Sequence, residues 1–390
     1  MKVLSVIGTR PEAVKMAPVV RLLKQTAGIE ARLCVTAQHR QMLDQVLKLF
    51  ELKPDYDLDL MRDDQTLAEL SAAIFKHLDH VLVTFKPDWI LVQGDTTSVA
   101  ITALLAYYHK IKVGHVEAGL RTHDKWQPFP EEINRRVAGV VADLHFAPTE
   151  WARQNLIKEG IKDEMILVTG NPVIDALQHV AAQPEPPQVS SLLKQMRISP
   201  KKSVSSKHEQ AAEQVRNRQG NSSQLILVTA HRRENFGAPL ENICLALKKL
   251  AGRGDVEILY PVHMNPKVQK PVHRILDGQP HITLVPPMDY LPLVHLMKHA
   301  RLILTDSGGI QEEAPAFGIP VLVMRELTER PEGIEANLLK LVGTDTNTIV
   351  ESASQLLDDE ALYNSMAKAA NPFGDGHAAE RIVKGLLTYS

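Results

Sequence analysis

The chain has 390 residues, and at roughly 150 residues per domain this length predicts two or three domains. Lys and Arg number 44 against 46 Asp and Glu, a formal net charge of −2, which excludes nucleic-acid binding through bulk positive charge. Hydrophobic residues make up 44% of the chain, which excludes the disordered class, and the two cysteines, Cys34 and Cys244, show no CxxC spacing, which excludes a disulfide scaffold or cysteine–zinc site and fits a reducing cytoplasm.

The opening MKVLSVIGTRPEAVKM carries a short apolar run without a small-residue cleavage pattern after it, and reads as a strand and not a signal peptide. No apolar stretch approaches the ~18 residues that would cross a bilayer, so no membrane partner is expected. Short β-branched runs at 3–8, 31–36, 88–94 and 112–117 alternate with helical periodicity at 11–25 and 96–110. Strands apolar on both faces, alternating with helices, predict a parallel sheet covered on both sides. The rhythm restarts at 224–230, 256–263, 281–287, 301–309 and 319–324. Two such series predict an α/β chain of two Rossmann-like, doubly wound domains, over 1–175 and 224–371, with a cleft between them. Residues 183–223 are rich in Ser, Pro, Lys and Arg and read as a polar, mobile insertion. A last helix within 372–390, opened by Gly374–Asp375–Gly376, is expected to return to the first domain.

In open α/β sheets ligands bind beyond the carboxyl ends of the strands, so the residues that follow each strand are the ones to inspect. The first strand is followed by Gly8-Thr9-Arg10-Pro11-Glu12, with Lys15 one helical turn on. This is not GxGxxG, so the turn gives no support for a dinucleotide, and no cofactor is expected. Gly94-Asp95-Thr96 follows the third run; Asp95 fits either a helix N-cap or a functional acid. His115-Val116-Glu117 and the later PFPEEINRR bring Glu117, Glu131, Glu132, Arg135 and Arg136 into one loop and helix. Glu131 fits the dipole of the helix start, and Glu132, Arg135 and Arg136 have the spacing of surface or interdomain ion pairs. If the runs carrying Asp95 and Glu117 are neighbours, carboxylates converge, as proton transfer requires.

In the second series, Thr229-Ala230-His231 places a histidine at a strand end, where it fits either a ligand contact or a structural role. Leu304-Thr305-Asp306-Ser307-Gly308-Gly309 runs from strand to helix and offers backbone N–H groups to a phosphate. Glu313 is placed to accept from a ribose diol, and Arg325 and Arg330 to supply positive charge to a diphosphate. No HExxH spacing and no GxxxxGK[ST] loop occurs, so neither a metal site nor P-loop chemistry is expected.

The blocks GTRPEAVKMAPVV, TAQHRQMLDQV, VQGDTTS, GHVEAGLRT, PFPEEINRR, VTGNPVIDAL, TAHRREN, LTDSGGIQEEAP and ERPEG occur in that order. Together they resemble the non-hydrolysing UDP-N-acetylglucosamine 2-epimerases of bacteria and archaea, over essentially the whole chain except 183–223. The resemblance implies two Rossmann-like domains in a glycosyltransferase-like (GT-B) arrangement with an interdomain active site. It also implies interconversion of UDP-N-acetylglucosamine and UDP-N-acetylmannosamine, by anti elimination of UDP to 2-acetamidoglucal and its re-addition, for cell-surface polysaccharide synthesis in the cytoplasm. Catalytic roles pass to Asp95, Glu117, Glu131 and His231, with UDP and sugar contacts at Arg10, Lys15, Ser307, Gly308, Gly309, Glu313 and Arg330. The QHRQ stretch matches a second, activating UDP-N-acetylglucosamine site at Gln38, Arg40 and Gln41, and the family implies a homodimer. At Met288 and Leu293 this chain departs from relatives that carry Gln and Phe, leaving uracil recognition to the backbone. A glycosyltransferase of the same architecture, or a hydrolysing epimerase that releases N-acetylmannosamine, remains the alternative.

Overall fold

The computed structural model describes residues 1–36, 40–62, 64–198 and 223–389, which fall into two units, Met1–His179 with Pro372–Ser390, and Val180–Asn371. The first unit is built on seven parallel strands: β1 (Lys2–Ile7), β2 (Glu30–Val35), β3 (Tyr56–Asp57), β4 (Trp89–Gln93), β5 (Lys112–Val116), β6 (Leu144–Ala147) and β7 (Ile166–Val168). Their order in the sheet is β3-β2-β1-β4-β5-β6-β7. All five residues of β4 are buried, because helices cover both faces. Thr9 caps the helix Arg10–Gln25 through a capping box with Glu12, and Pro11 stands in its first turn, where no N–H is missed. Thr96 caps the helix Thr97–Tyr108, and Thr66 with Glu69 caps Leu67–Phe85 in the same way as Thr9 with Glu12.

The C-terminal helix, Ala378–Thr388, belongs to this first unit and packs on Arg10–Gln25. Asp175 receives the backbone N–H groups of Ala378 and Ala379 at 3.2 and 2.8 Å, and so caps that helix from another segment.

The second unit repeats the plan with six parallel strands: β8 (Gln224–Thr229), β9 (Val256–Pro261), β10 (Ile282–Val285), β11 (Leu302–Thr305), β12 (Val321–Val323) and β13 (Leu339–Leu341), in the order β10-β9-β8-β11-β12-β13. Its core joins Ile226, Val228, Ile258, Tyr260 and Leu304 of the sheet to Ile243 and Leu247 of the helix Ala238–Ala251.

The expectation for 183–223 is corrected at its start. Residues Pro187–Gln195 form a helix whose Val189 and Leu193, with Met196 and Ile198 just beyond it, are buried. It packs on the helix Tyr290–His299, and Glu185 pairs with His299 at 2.6 Å. Val189, Leu193 and Met196 recur at a helical spacing of four and three, a narrow apolar stripe that the surrounding Ser, Pro and Lys conceal from a composition count. Residues 199–222 lie outside the described residues.

Candidate active site

In each sheet the chain reverses its winding beside the first strand, between β1 and β4 in one unit and between β8 and β11 in the other. Loops part at such a switch point, and ligands bind there.

At the first switch point three acids gather. Glu12 is buried and fully engaged: it accepts from the backbone N–H of Gly8, from that of Thr9 at 2.7 Å and from the Thr96 hydroxyl at 2.5 Å. It thereby ties the turn after β1 to the turn after β4. Burial pushes its carboxyl up to about 7 against those three hydrogen bonds, and the charge of Asp95 adds to the rise. Asp95 receives Nη2 and Nε of Arg135 on one oxygen, at 2.7 and 3.0 Å, and its backbone carbonyl accepts from Asn134 at 2.9 Å. Glu117 follows β5 in the left-handed region at φ 63, with its side chain buried. It accepts from Lys15 Nζ at 2.5 Å, from Asn171 Nδ2 at 2.8 Å and from Gln93 Nε2. Gly94 leaves room for it, since a Cβ there would lie 3.3 Å from Glu117 Oε2.

Glu131 begins the helix Glu131–Val141, and Arg10 begins Arg10–Gln25; both are half-buried. Of the ion pairs expected for Glu132, Arg135 and Arg136, that of Arg136 with Glu132, at 3.6 Å, has an exposed arginine, whereas Glu132 and Arg135 are both buried. Glu132 is wholly buried and accepts from the backbone N–H groups of Thr122 and His123, at 3.1 and 3.2 Å, and from Arg135 at 3.2 Å. Arg135 is thus held from behind as it grips Asp95. Beneath the loops His115 Nε2 meets the Gly94 carbonyl at 2.8 Å, and burial drives this histidine down to about 4, so that it stays neutral.

The second switch point is built on cations and backbone N–H groups. Ser307 precedes the short helix Gly308–Glu313, and its N–H is turned onto Thr305 Oγ1 at 2.9 Å. The guanidinium of Arg330 lies against Gly308, where a Cβ would come within 2.7 Å of Nη1. Arg330 pairs with Glu312 at 2.5 Å and with Glu329 at 3.5 Å. Burial alone would raise Glu329, but Arg330 and Arg325 outweigh it and hold this carboxylate at about 2. Glu313 is buried and accepts the Tyr290 hydroxyl at 2.9 Å. At the end of β8, the N–H groups of His231 and Arg232 both donate to Asp306 Oδ2 at 2.8 Å.

The family model described as UDP-N-acetylglucosamine 2-epimerase matches residues 21–387. The chain belongs to this family. It is 52% identical to the UDP-N-acetylglucosamine 2-epimerase of Yersinia pestis, over all of this chain and 99% of that one. Among solved structures it is similar to the Neisseria meningitidis UDP-GlcNAc 2-epimerase bound to UDP-GlcNAc, with a TM-score of 0.87, 46% identity and full coverage of both chains. The Methanocaldococcus jannaschii enzyme in complex with UDP-GlcNAc and UDP gives a TM-score of 0.81 at 32% identity, again over both full chains.

Against the expectations for a UDP-N-acetylglucosamine 2-epimerase, the first unit brings Asp95, Glu117 and Lys15 to one switch point, and the second brings together Ser307, Gly308, Gly309, Glu313 and Arg330. Lys15 is in contact with Glu117 and is not a free cation. Gln38 lies outside the described residues, as do the side chains of Arg40 and Gln41, whose backbone opens the helix Arg40–Leu49. Among the residues around the acids, Glu12, Gln93 and Asn171 carry no role in the sequence reading, and Arg135 enters it only as an ion-pair partner. A signal existed for two of them: Glu12 stands three residues after the cap Thr9, and Asn171 follows β7 inside the block VTGNPVIDAL.

Proposed function

We infer that this chain interconverts UDP-N-acetylglucosamine and UDP-N-acetylmannosamine by elimination and re-addition of UDP. The observation that carries this reading is the cluster of Glu12, Asp95 and Glu117 at one switch point, each in a different electrostatic setting, in a chain of this family. A carboxylate removes the proton from the sugar's second carbon as the C1–O bond breaks. The electron pair of the C–H bond becomes the C1=C2 bond of 2-acetamidoglucal, and that of the C1–O bond leaves with UDP. UDP then re-adds at C1 while a proton is delivered to the opposite face of C2. No hydride moves, so no nicotinamide is needed.

Asp95, Glu117 and Glu131 are the proton carriers and stabilise positive charge on the ring. Arg135 and Lys15 keep the first two in place, each acting through a contact of 2.7 Å or less. His231, Arg10, Arg330, the Ser307 hydroxyl and the N–H groups of Gly308 and Gly309 take the charge that builds on the departing diphosphate. Glu313, aligned by Tyr290, binds the ribose.

The active species is a homodimer, a reading supported by Val83, Tyr107, Tyr108 and Val140, large apolar residues exposed on the helices of the first unit. UDP-N-acetylglucosamine also activates through the segment containing Gln38, Arg40 and Gln41. The enzyme works in the cytoplasm and supplies surface-polysaccharide synthesis. Two free, buried cysteines support this compartment, and among the described residues no helix is long and apolar enough to cross a membrane.

The test is incubation with UDP-N-acetylglucosamine alone in deuterated water, followed by NMR. Formation of UDP-N-acetylmannosamine with deuterium at the second carbon is expected. Free N-acetylmannosamine would point to the hydrolysing alternative, and epimerisation without deuterium would remove the elimination route.

A further inference from the structure

Asp306 poses a physical problem at the end of β11. Its side chain is fully buried, and everything that hydrogen-bonds to it does so on one oxygen. Oδ2 accepts from the N–H groups of His231 and Arg232 at 2.8 Å each and from Asn235 Nδ2 at 3.0 Å. Oδ1, equally buried, has no hydrogen-bond partner among the described residues. A carboxylate oxygen removed from water and left unpaired is costly, and it persists only where something else requires it. The nearest cation-forming group is the imidazole of His231, whose Nδ1 stands 3.8 Å from Oδ1, too far for a hydrogen bond yet within reach of a small turn of the ring. The ring has room to make that turn, since 38% of the side chain is exposed.

We propose that Asp306 is a positioning residue for His231: Oδ2 fixes the backbone that carries the histidine, and Oδ1 is the seat onto which Nδ1–H closes when the ring is a cation beside the diphosphate. The protonated ring then gives Nδ1–H to Asp306 and Nε2–H to a diphosphate oxygen. Both protons stay on the histidine, and Asp306 remains a carboxylate throughout. The proposal rests on the reading of His231 as a diphosphate contact.

The other groups around the ring oppose its charge, which is why a buried anion is required. His263 stacks on His231 with ring centroids 5.4 Å apart and an interplanar angle of 18°, and the side chain of Arg232 is adjacent. His263 Nδ1 accepts from the Asn265 N–H at 3.1 Å. Burial, His263 and Arg232 depress the titration of His231 below the ordinary histidine range, and Asp306 is what raises it.

The experiment uses the full chain with UDP as the probe. UDP affinity and kcat are measured from pH 5.5 to 8.5 for the wild type, Asp306→Asn and His231→Gln. The wild type should bind UDP more tightly as pH falls through the His231 titration. In Asp306→Asn that rise should move down by about one pH unit or more, with kcat lowered and its pH profile moved in step. In His231→Gln it should vanish. If His231→Gln keeps the pH-dependent binding, the diphosphate reading of His231 fails. If His231→Gln loses it while Asp306→Asn titrates as the wild type does, the role of Asp306 is overturned. Should Asp306→Asn not fold, 15N-histidine spectra of the wild type with UDP at pH 6 decide the matter, with His231 assigned by its loss in His231→Gln. Nδ1 is expected to carry a proton, and an unprotonated Nδ1 overturns the proposal.

Discussion

The two units share a strand order around the switch point yet hold opposite chemistry there. In the first, acids occupy the loop ends and single cations steady them: Arg135 on Asp95, Lys15 on Glu117. In the second, arginines and backbone N–H groups occupy the loop ends and acids steady the arginines: Glu312 and Glu329 on Arg330, Glu234 and Glu329 on Arg325. The electrostatic outcomes diverge accordingly. Glu12 is pushed to about 7, while Glu329 is held at about 2. Burial prevails at Glu12, whereas at Glu329 two guanidinium groups prevail over burial. On the proposed reading one fold carries proton transfer in one unit and anion binding in the other, and the difference lies in a few loop residues.

The largest effects should follow from neutralising the first unit's acids. Asp95→Asn and Glu117→Gln are each expected to lower kcat by about 10²–10⁴-fold, and to remove deuterium incorporation at the second carbon to the same degree. UDP affinity, measured by calorimetry, should stay close to that of the wild type. A variant that loses UDP binding but keeps exchange would reverse the division of labour between the units. Next in size is Arg330→Met, which strips a buried partner from Glu312 and Glu329. It should weaken UDP binding and cost about 3–5 kcal/mol of stability in urea unfolding, because two buried carboxylates lose a shared cation.

The pH dependence of stability sharpens the contrast from the first unit's side. Glu12 is raised from 4.5 to about 7, so its contribution is complete below pH 4.5 and is lost as pH rises through 7. His115 and His145 are lowered by burial to about 4 and about 3, so theirs is complete above pH 6.5 and is lost as pH falls towards those values. Between pH 4.5 and 6.5 these three groups bind one more proton in the unfolded chain than in the folded one. Their sum makes stability rise with pH there by about 1.4 kcal/mol per unit. Above pH 6.5 only the Glu12 contribution remains, and it reverses the slope. Glu12→Gln should abolish that reversal in denaturant titrations at pH 6.5 and 7.5; an unchanged slope would show that Glu12 is ionised throughout.

Much of this contrast was legible in the sequence, and the part that was not has a common cause. Runs such as DWILVQG and QLILVTA announce buried parallel strands because both faces must be apolar, and β4 and β8 lie within those runs. The residues after them follow as candidates by topology alone. The strands β3, β6, β7 and β13, of two to four residues each, lie outside the runs read as strands. The supports of the acids were hidden for a different reason. Asn171 is 54 residues from Glu117, and Arg135 is 40 from Asp95, so their pairing is a property of the folded sheet and of no local pattern. Glu132 shows the same limit in reverse: its spacing from Arg135 and Arg136 fits a solvated helix face, yet the loop 122–123 folds over it and buries it completely.

The smallest effect tests the second unit's geometry by a single methyl group. Gly308 is helical and needs no unusual backbone angle, so alanine there carries no conformational penalty. What alanine meets is Arg330, with Nη1 at 2.7 Å and Cζ at 3.0 Å from the added Cβ. The guanidinium cannot simply swing aside, because Glu312 and Glu329 hold it from the other side. Gly308→Ala should therefore displace the arginine by a few tenths of an ångström and reduce UDP affinity about tenfold, equivalent to ~1.4 kcal/mol. The acids of the first unit are untouched by this change, so deuterium exchange at saturating substrate should proceed at nearly the wild-type rate. A fall in kcat with UDP affinity intact would mean that Arg330 acts on the chemical step and not on holding the anion, and the separation of roles between the two switch points would no longer stand.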